Sequence, residues 1–219
     1  MKILAVEFSS MHRSVAVAES SDDRGVTVLG TAMETSAPKT RALTLVRAAL
    51  AQAGVERDQI DGIAVGLGPG SYTGIRASIS LAQGWQLARN VKLLGVSSAE
   101  CLAAQAQAAG ERGLVTLIID AQRDEFYLAR YDLTSAGPGL LEDLHLVPAG
   151  EVKRRIEAGE RVAGPEASRR FASARDLFPE AAMLARLAGG RTGYVAGEAL
   201  EPIYLRETAF VKAPRTSRS

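Results

Sequence analysis

The sequence predicts an α/β protein built from two copies of one βββα unit. Two short apolar strands, over 3–7 and 116–120, each end in an acidic residue, Glu7 and Asp120. Each strand is followed by a turn, two further strands and a helix that begins near a proline. This repeated order indicates an internal duplication. A chance match between two common βββα patterns is the alternative.

Apolar periodicity and turn residues predict the elements of the first unit. A helix is expected from Pro38 to Gly54, with Ser36 as its cap, because apolar residues recur there at three- and four-residue steps. The run 63–67 does not alternate, which is typical of a strand covered on both faces. Other strands are expected at 3–6, 14–18, 26–35 and 91–96, and other helices at 75–88 and 98–109.

The pattern of the second unit is weaker. Strands are expected at 114–119, 125–131 and 140–147, with a helical stretch after Pro148. Beyond residue 150 only the runs 161–164, 182–187 and 203–205 are expected to be ordered, and 212–219 is expected to be a loose basic tail. The sequence therefore divides into an N-terminal lobe, 1–110, and a C-terminal lobe, 111–219.

Composition excludes several classes of protein. The 219 residues are 47% apolar, and 26 basic against 25 acidic residues give a net charge of +1. A surface that binds nucleic acid over its whole area is therefore not expected, nor is a disordered or disulfide-rich chain. The only cysteine, Cys101, lies in an alanine-rich stretch and is expected to pack in the core. No signal peptide and no apolar run long enough to cross a membrane is found, so we expect a cytoplasmic protein.

The most informative stretch is the glycine-rich turn at 66–76, between a buried strand and a helix. It is not a P-loop, because no lysine lies between 61 and 92, and its third glycine is one residue late for a dinucleotide fingerprint. Ser71 or Thr73 is expected to cap the helix. Arg76 is unfavourable near a helix N-terminus, so a nearby anion or acidic partner is expected. The residues that could contact an anion or nucleotide are Gly68, Gly70, Ser71 and Thr73; an ordinary capped turn is the alternative.

Residues 68–76, Gly-Pro-Gly-Ser-Tyr-Thr-Gly-Ile-Arg, closely resemble the signature of the TsaB family, also called YeaZ. Residues 120–127 and 202–206 resemble two further motifs of that family, and the likeness is weakest over 135–200. The resemblance implies an actin/Hsp70/sugar-kinase-like (ASKHA) fold, in which two duplicated lobes carry mixed sheets with flanking helices.

The resemblance also implies a function. Members of the family are non-catalytic subunits of the complex that attaches threonylcarbamoyl to N6 of adenosine 37 in tRNAs reading ANN codons. We accordingly expect a scaffold that binds a TsaD-like catalytic subunit and, with it, a TsaE-like ATPase and tRNA. Alone, the chain is expected to form a homodimer and to bind no cofactor. ATP or ADP with Mg²⁺ is expected only at the interface of the complex.

The resemblance places the partner interface on the helix pair 38–54 and 73–89. The second of these helices has apolar or small residues nearly all round, as expected of a helix covered on more than one side. Burial of this face within the monomer is the alternative. The expected interface residues are Leu43, Val46, Leu50, Tyr72, Thr73, Ile75, Arg76, Ile79 and Trp85.

We expect no catalytic residue and no metal site. Glu7 and Asp120 are interpreted as remnants of a degenerate magnesium site, now solvated strand ends or local hydrogen-bond acceptors. An independent small ATPase or sugar-kinase-like phosphotransferase that uses these two acids is the alternative function. A metallopeptidase is a third, disfavoured because the helix at 38–54 carries no histidine pair. Contact with tRNA would involve basic residues of the second half, namely Arg123, Lys153, Arg154, Arg155, Arg169, Arg170, Lys212, Arg215 and Arg218.

Overall fold

The computed structural model describes residues 1–21, 23, 25–35 and 41–205. Its first half is a βββαβαβ unit followed by one more helix, with a short 3₁₀ helix, Arg57–Gln59, after the first α-helix. The elements are β1 (Lys2–Glu7), β2 (His12–Ser21), β3 (Gly25–Thr35), α1 (Ala42–Ala53), β4 (Gly62–Gly66), α2 (Tyr72–Arg89), β5 (Lys92–Val96) and α3 (Ser98–Ala108).

The second half repeats the same order of elements with shorter members. Its last strand has only two residues and its second helix only four, which explains why the sequence pattern fades there. The elements are β6 (Gly113–Asp120), β7 (Glu125–Thr134), β8 (Gly137–Pro148), α4 (Ala149–Glu157), β9 (Val162–Gly164), α5 (Ala167–Arg170), β10 (Arg175–Asp176) and α6 (Ala181–Gly189).

Each half forms one five-stranded mixed sheet, and the two sheets have the same strand order. The first runs β3-β2-β1-β4-β5 and the second runs β8-β7-β6-β9-β10. In both sheets, the first strand pairs antiparallel with the second strand and parallel with the fourth. In the first sheet, Leu4 of β1 lies opposite Val17 of β2 on one side and Ile63 of β4 on the other. Leu117 of β6 lies in the same way between Ala129 and Ala163. The predicted duplication and the ASKHA fold class are therefore confirmed.

The third helix of each half packs against the sheet of the other half. On the first sheet, α1 and α2 cover one face and α6 covers the other, where Leu184 packs with Ile3 and Ala16. On the second sheet, α4 and α5 cover one face, while Leu102 of α3 packs with Leu117 on the other. The helices α3 and α6 thus lie between the sheets. The division into 1–110 and 111–219 stays a prediction, and the apolar clusters around Leu184 and around Leu102 each contain residues from both sides of it.

The ends of the helices follow from local chemistry. As predicted, α1 stops at Gly54, which adopts the left-handed conformation (φ 63°). Ser36 and Pro38, where this helix was expected to begin, lie outside the described residues, as do the basic residues of the tail and Arg206. Residues 203–205 form neither helix nor strand. Within the described part of the chain, no helix combines the length and apolar character needed to cross a membrane.

Candidate functional site

The glycine-rich turn rests directly on the turn between β1 and β2. The Ser71 N–H donates to the Ser9 carbonyl oxygen at 2.6 Å. A Cβ atom on Gly70 (φ 143°) would lie 2.1 Å from that same oxygen, and one on Gly74 would lie 2.0 Å from the Phe8 carbonyl oxygen. No side chain fits at either position, so the glycines of the signature are required by this close packing of backbone on backbone.

Ser71 caps α2, as the sequence predicts. Its hydroxyl oxygen accepts a hydrogen bond from the Gly74 N–H at 3.3 Å. Arg76 in the first turn is compensated within the chain by an aromatic ring: its guanidinium lies 5.0 Å from the centre of the Tyr72 ring and donates to the Tyr72 hydroxyl. Tyr72 stacks in turn on Tyr204 at 5.4 Å. These contacts are with a neutral ring, so the anion or acidic partner expected beside Arg76 stays a prediction.

Glu7 is a buried hydrogen-bond acceptor. Its carboxylate accepts from the Ser9 N–H at 2.7 Å and from the Ser98 hydroxyl at 2.9 Å, and it has no exposed surface. Burial raises the pKa of Glu7 above its ordinary value, and the hydrogen bonds from Ser9 and Ser98 oppose that rise. Of the two roles expected for Glu7, a solvated strand end and a local hydrogen-bond acceptor, the structure shows the second, because α3 begins directly over it.

Asp120 ends the equivalent strand, and its side chain binds the turn that follows. One carboxylate oxygen accepts from the Gln122 N–H at 2.7 Å and the other from the Gln122 side-chain amide at 2.9 Å. Asp120 borders the space between the lobes, whereas Glu7 does not. The two acids therefore do not face one common site. Among the described residues, no group of three or more His, Cys, Asp or Glu side chains could hold a metal ion; the interpretation of the two acids as remnants of a magnesium site stays a prediction.

A cleft of about 660 Å³ separates the glycine-rich turn of the first lobe from the β6–β7 turn of the second. Of the residues predicted to contact an anion or nucleotide, Gly70 and Ser71 line this cleft and Gly68 and Thr73 do not. The cleft walls are polar and aromatic, with Tyr72, Tyr127 and Tyr204 among them. Whether ATP or ADP binds here stays a prediction.

The expected partner face is partly exposed and partly core. Leu50, Ile75 and Ile79 are buried in the core between the first sheet and its helices and do not line a groove on this face, which corrects the expectation that these three form the contact surface. Val46 is almost fully buried and forms the floor of a groove of about 680 Å³ between α1 and α2. Leu43, 64% exposed, and Trp85 line that groove, while Tyr72, Thr73 and Arg76 are exposed at the start of α2.

Sequence reasoning missed the charged rim of this groove. Arg57 and Asp58 of the 3₁₀ helix lie on it together with Arg47 and Arg89. The Arg89 guanidinium donates to the Asp58 carbonyl oxygen at 3.2 Å, which fixes the end of α2 to the 3₁₀ helix. No periodicity in the sequence signals this contact, because a three-residue helix has no apolar pattern of its own.

The basic residues of the second half are mostly paired with acids. Arg155 contacts Glu142 at 2.7 Å and Glu151 at 3.0 Å, and Arg154 also pairs with Glu151. Weaker or exposed pairs join Lys153 to Glu157, Arg169 to Glu166 and Arg170 to Asp124. Arg123 lines the cleft. These pairs neutralise most of the charge that a patch for tRNA would need, so direct tRNA contact stays a prediction.

Cys101 is fully buried, which confirms the prediction of core packing. Its sulfur lies 3.5 Å from Gln105 Oε1 and from the Glu180 carbonyl oxygen. Burial raises its pKa well above the ordinary value, with a smaller contribution from the nearby charge of Glu7. A thiol in this environment stays protonated and is a poor nucleophile.

Comparison with known proteins finds relatives that are named TsaB, YeaZ and TsaD. The sequence profile described as "TsaD: tRNA N6-adenosine threonylcarbamoyltransferase" matches residues 37–145. The tRNA threonylcarbamoyladenosine biosynthesis protein TsaB of Escherichia coli is 32% identical over 196 residues, which are 80% of this chain and 83% of that protein. The solved structure of YeaZ from Pseudomonas aeruginosa superimposes with a TM-score of 0.77 at 29% identity, and the match covers 93% of this chain and 99% of that one.

The match to a transferase sequence is shorter than the match to TsaB of Escherichia coli. A tRNA N6-adenosine threonylcarbamoyltransferase of Geobacter is 46% identical over 56 residues, but these are only 16% of that enzyme. The matches to TsaB of Escherichia coli and to YeaZ of Pseudomonas aeruginosa, by contrast, extend over most of both chains. The full-length likeness is therefore to TsaB.

Proposed function

This chain belongs to the TsaB family, also called YeaZ, and from this membership we propose that it acts in tRNA threonylcarbamoyladenosine biosynthesis as a non-catalytic subunit that binds a TsaD-like transferase. The observation that carries the proposal is the exposed part of the signature. Packing against β1 explains Gly70 and Gly74, but it does not explain Tyr72, Thr73 and Arg76, which are exposed at the start of α2. We assign these three residues to contact with the partner.

The groove between α1 and the last turns of α2 is a second candidate part of the partner surface. It has an apolar floor at Val46 and Trp85 and a rim of charged side chains. Leu43 lines it and is 64% exposed. An amphipathic helix of the transferase is the partner that such a groove accepts. A second copy of this chain would use the same surface when the transferase is absent.

The proposed lack of independent catalysis is supported by how the chain uses its reactive groups. Both carboxylate oxygens of Glu7 and of Asp120 accept hydrogen bonds from within the protein, and the Cys101 thiol is buried. The cleft beside Tyr72 would then bind ATP or ADP with Mg²⁺ only where the transferase completes it. The TsaE-like ATPase and tRNA join as further members of that complex.

We expect Leu43→Glu to weaken binding of the cognate TsaD-like transferase about tenfold or more, since it places a charge on the apolar part of the interface. Isothermal titration calorimetry measures the affinity. Leu141→Glu is the matched control, because Leu141 is 59% exposed on β8 of the other lobe, and it should leave the affinity unchanged. Equal affinities for both variants, or no complex with the unaltered protein, would contradict the proposal. Appreciable ATP hydrolysis by the purified chain alone would favour the alternative of an independent ATPase.

A further inference from the structure

The acids that end β1 and β6 hold the turns that follow them in the same way. In each, one carboxylate oxygen accepts the backbone N–H two residues further on, from Ser9 to Glu7 and from Gln122 to Asp120, both at 2.7 Å. The second oxygen of each accepts from a side chain at 2.9 Å. The duplication of the fold thus extends to a duplicated hydrogen-bond arrangement at equivalent positions.

At Glu7 this arrangement leaves no place for a cation. A carboxylate that accepts donors on both oxygens while fully buried, as Glu7 does, offers no open coordination site to a hydrated Mg²⁺. The carboxylate of Glu7 also fills the space beside Gly66, where a Cβ atom would lie 2.0 Å from its oxygen. Glu7 is therefore committed to internal contacts, whereas Asp120 is exposed and borders the cleft.

Glu7 reaches both ends of the glycine-rich turn through the residues that donate to it. The Ser9 carbonyl oxygen accepts the Ser71 N–H at 2.6 Å, and the Ser98 N–H donates to the Gly68 carbonyl oxygen at 2.8 Å. One carboxylate thus joins the β1–β2 turn and the start of α3, and each of these holds one side of the turn that leads into Tyr72.

Asp120 supports the opposite wall of the cleft. Gln122, Arg123 and Asp124 all adopt the left-handed conformation, with φ of 63°, 59° and 63°. This conformation is unfavourable for residues other than glycine and persists only where surrounding contacts hold it. The two hydrogen bonds from Gln122 to Asp120 provide such contacts.

We propose that Glu7 and Asp120 are a pair of positioning residues that set the shape of the two cleft walls by internal hydrogen bonds. Glu7 in addition fixes the glycine-rich turn, so that α2 presents Tyr72 and Arg76 to the partner. This last step rests on the proposed function, whereas the positioning of the two walls does not.

Amide and alanine variants distinguish positioning from metal binding. Glu7→Gln keeps an oxygen for the Ser9 N–H and offers an amide that donates to the Ser98 hydroxyl, so hydrogen exchange at residues 67–76 and the affinity for the transferase should stay within about twofold of the unaltered protein. Glu7→Ala removes both acceptors and should accelerate exchange at residues 67–76 and lower the affinity about tenfold or more. Asp120→Asn and Asp120→Ala should differ in the same way at residues 121–125.

Two controls keep the test decisive. Ser98→Ala removes one donor to Glu7 without adding or removing a charge, and it should accelerate exchange at residues 67–71 even if Glu7→Ala fails to fold. Glu19→Ala, an exposed acid on β2, should change neither reading. The proposal is overturned if the Gln and Asn variants behave like the alanine variants, or if millimolar Mg²⁺ slows exchange at either turn of the unaltered protein. If the exchange pattern is as expected but the unaltered protein does not bind the transferase, the proposed function fails and the positioning roles stand.

Discussion

Gly74→Ala is expected to destabilise the protein by about 2–4 kcal/mol, although alanine is the better helix former. The reason is the 2.0 Å distance between the added Cβ atom and the Phe8 carbonyl oxygen. Both belong to backbone segments that cannot rotate away, so the first turn of α2 would have to move off β1. That movement would break the hydrogen bond from Ser71 to Ser9 and loosen the packing of Ile75. Urea unfolding, compared at constant m-value, measures the loss.

The same helix offers a control for this variant. Gly84 is exposed on α2, and nothing lies within 4 Å of the place where its Cβ atom would be. Gly84→Ala should therefore stabilise the protein by up to about 1 kcal/mol through helix propensity alone. The two variants make the same chemical change in one helix and should shift the urea midpoint in opposite directions. A shift in the same direction for both would contradict the close contact between α2 and β1.

Leu184→Ala is expected to cost about 3 kcal/mol, since it removes a fully buried side chain from a packed interface. Leu184 lies on α6 but packs against the first sheet, beside Ile3 and Ala16. The loss should appear as a lower stability of the whole protein in a single transition, because α3 and α6 tie each half to the sheet of the other. Thermal unfolding followed by circular dichroism and by Trp85 fluorescence measures this.

Leu87→Ala serves as the reference for that change. Leu87 is 90% exposed near the end of α2, so the variant should alter stability by no more than about 0.5 kcal/mol. Two separate transitions in the Leu184→Ala protein, with Trp85 reporting only the first, would show that the halves unfold independently and would contradict the mutual packing of the lobes.

Much of the fold was predictable from the sequence because periodicity and turn residues report local structure directly. The unalternating run at 63–67 predicted a buried strand, and β4 has all five residues buried. Ser71 and Gly54 predicted helix ends, and both predictions are confirmed. The sequence could not predict that α3 packs on the second sheet and α6 on the first. Periodicity shows which face of a helix is apolar, but it does not show which sheet will cover that face. The alanine-rich α3 is buried on nearly all sides, so even that face was hidden.

The candidate site was predictable only in part, for a related reason. The signature located the turn and its exposed residues, but a resemblance does not separate the residues that touch a partner from those that support them. Ile75 and Ile79 are buried in the core, whereas Leu43 is equally apolar but exposed. The pattern of a single sequence does not distinguish these two cases. The burial of Glu7 depends on Ser98, which lies 91 residues away, and no local signal connects them.

The packing of α3 and α6, each on the sheet of the other half, has a mechanical consequence. Since these two helices lie between the sheets and each is anchored across the chain's midpoint, the lobes cannot swing apart as two bodies joined by one flexible hinge. Any widening would shear two packed interfaces at the same time, and close packing resists such gradual deformation. The docking surface that we propose is therefore preorganised, and association there would sacrifice little conformational entropy on this side of the contact.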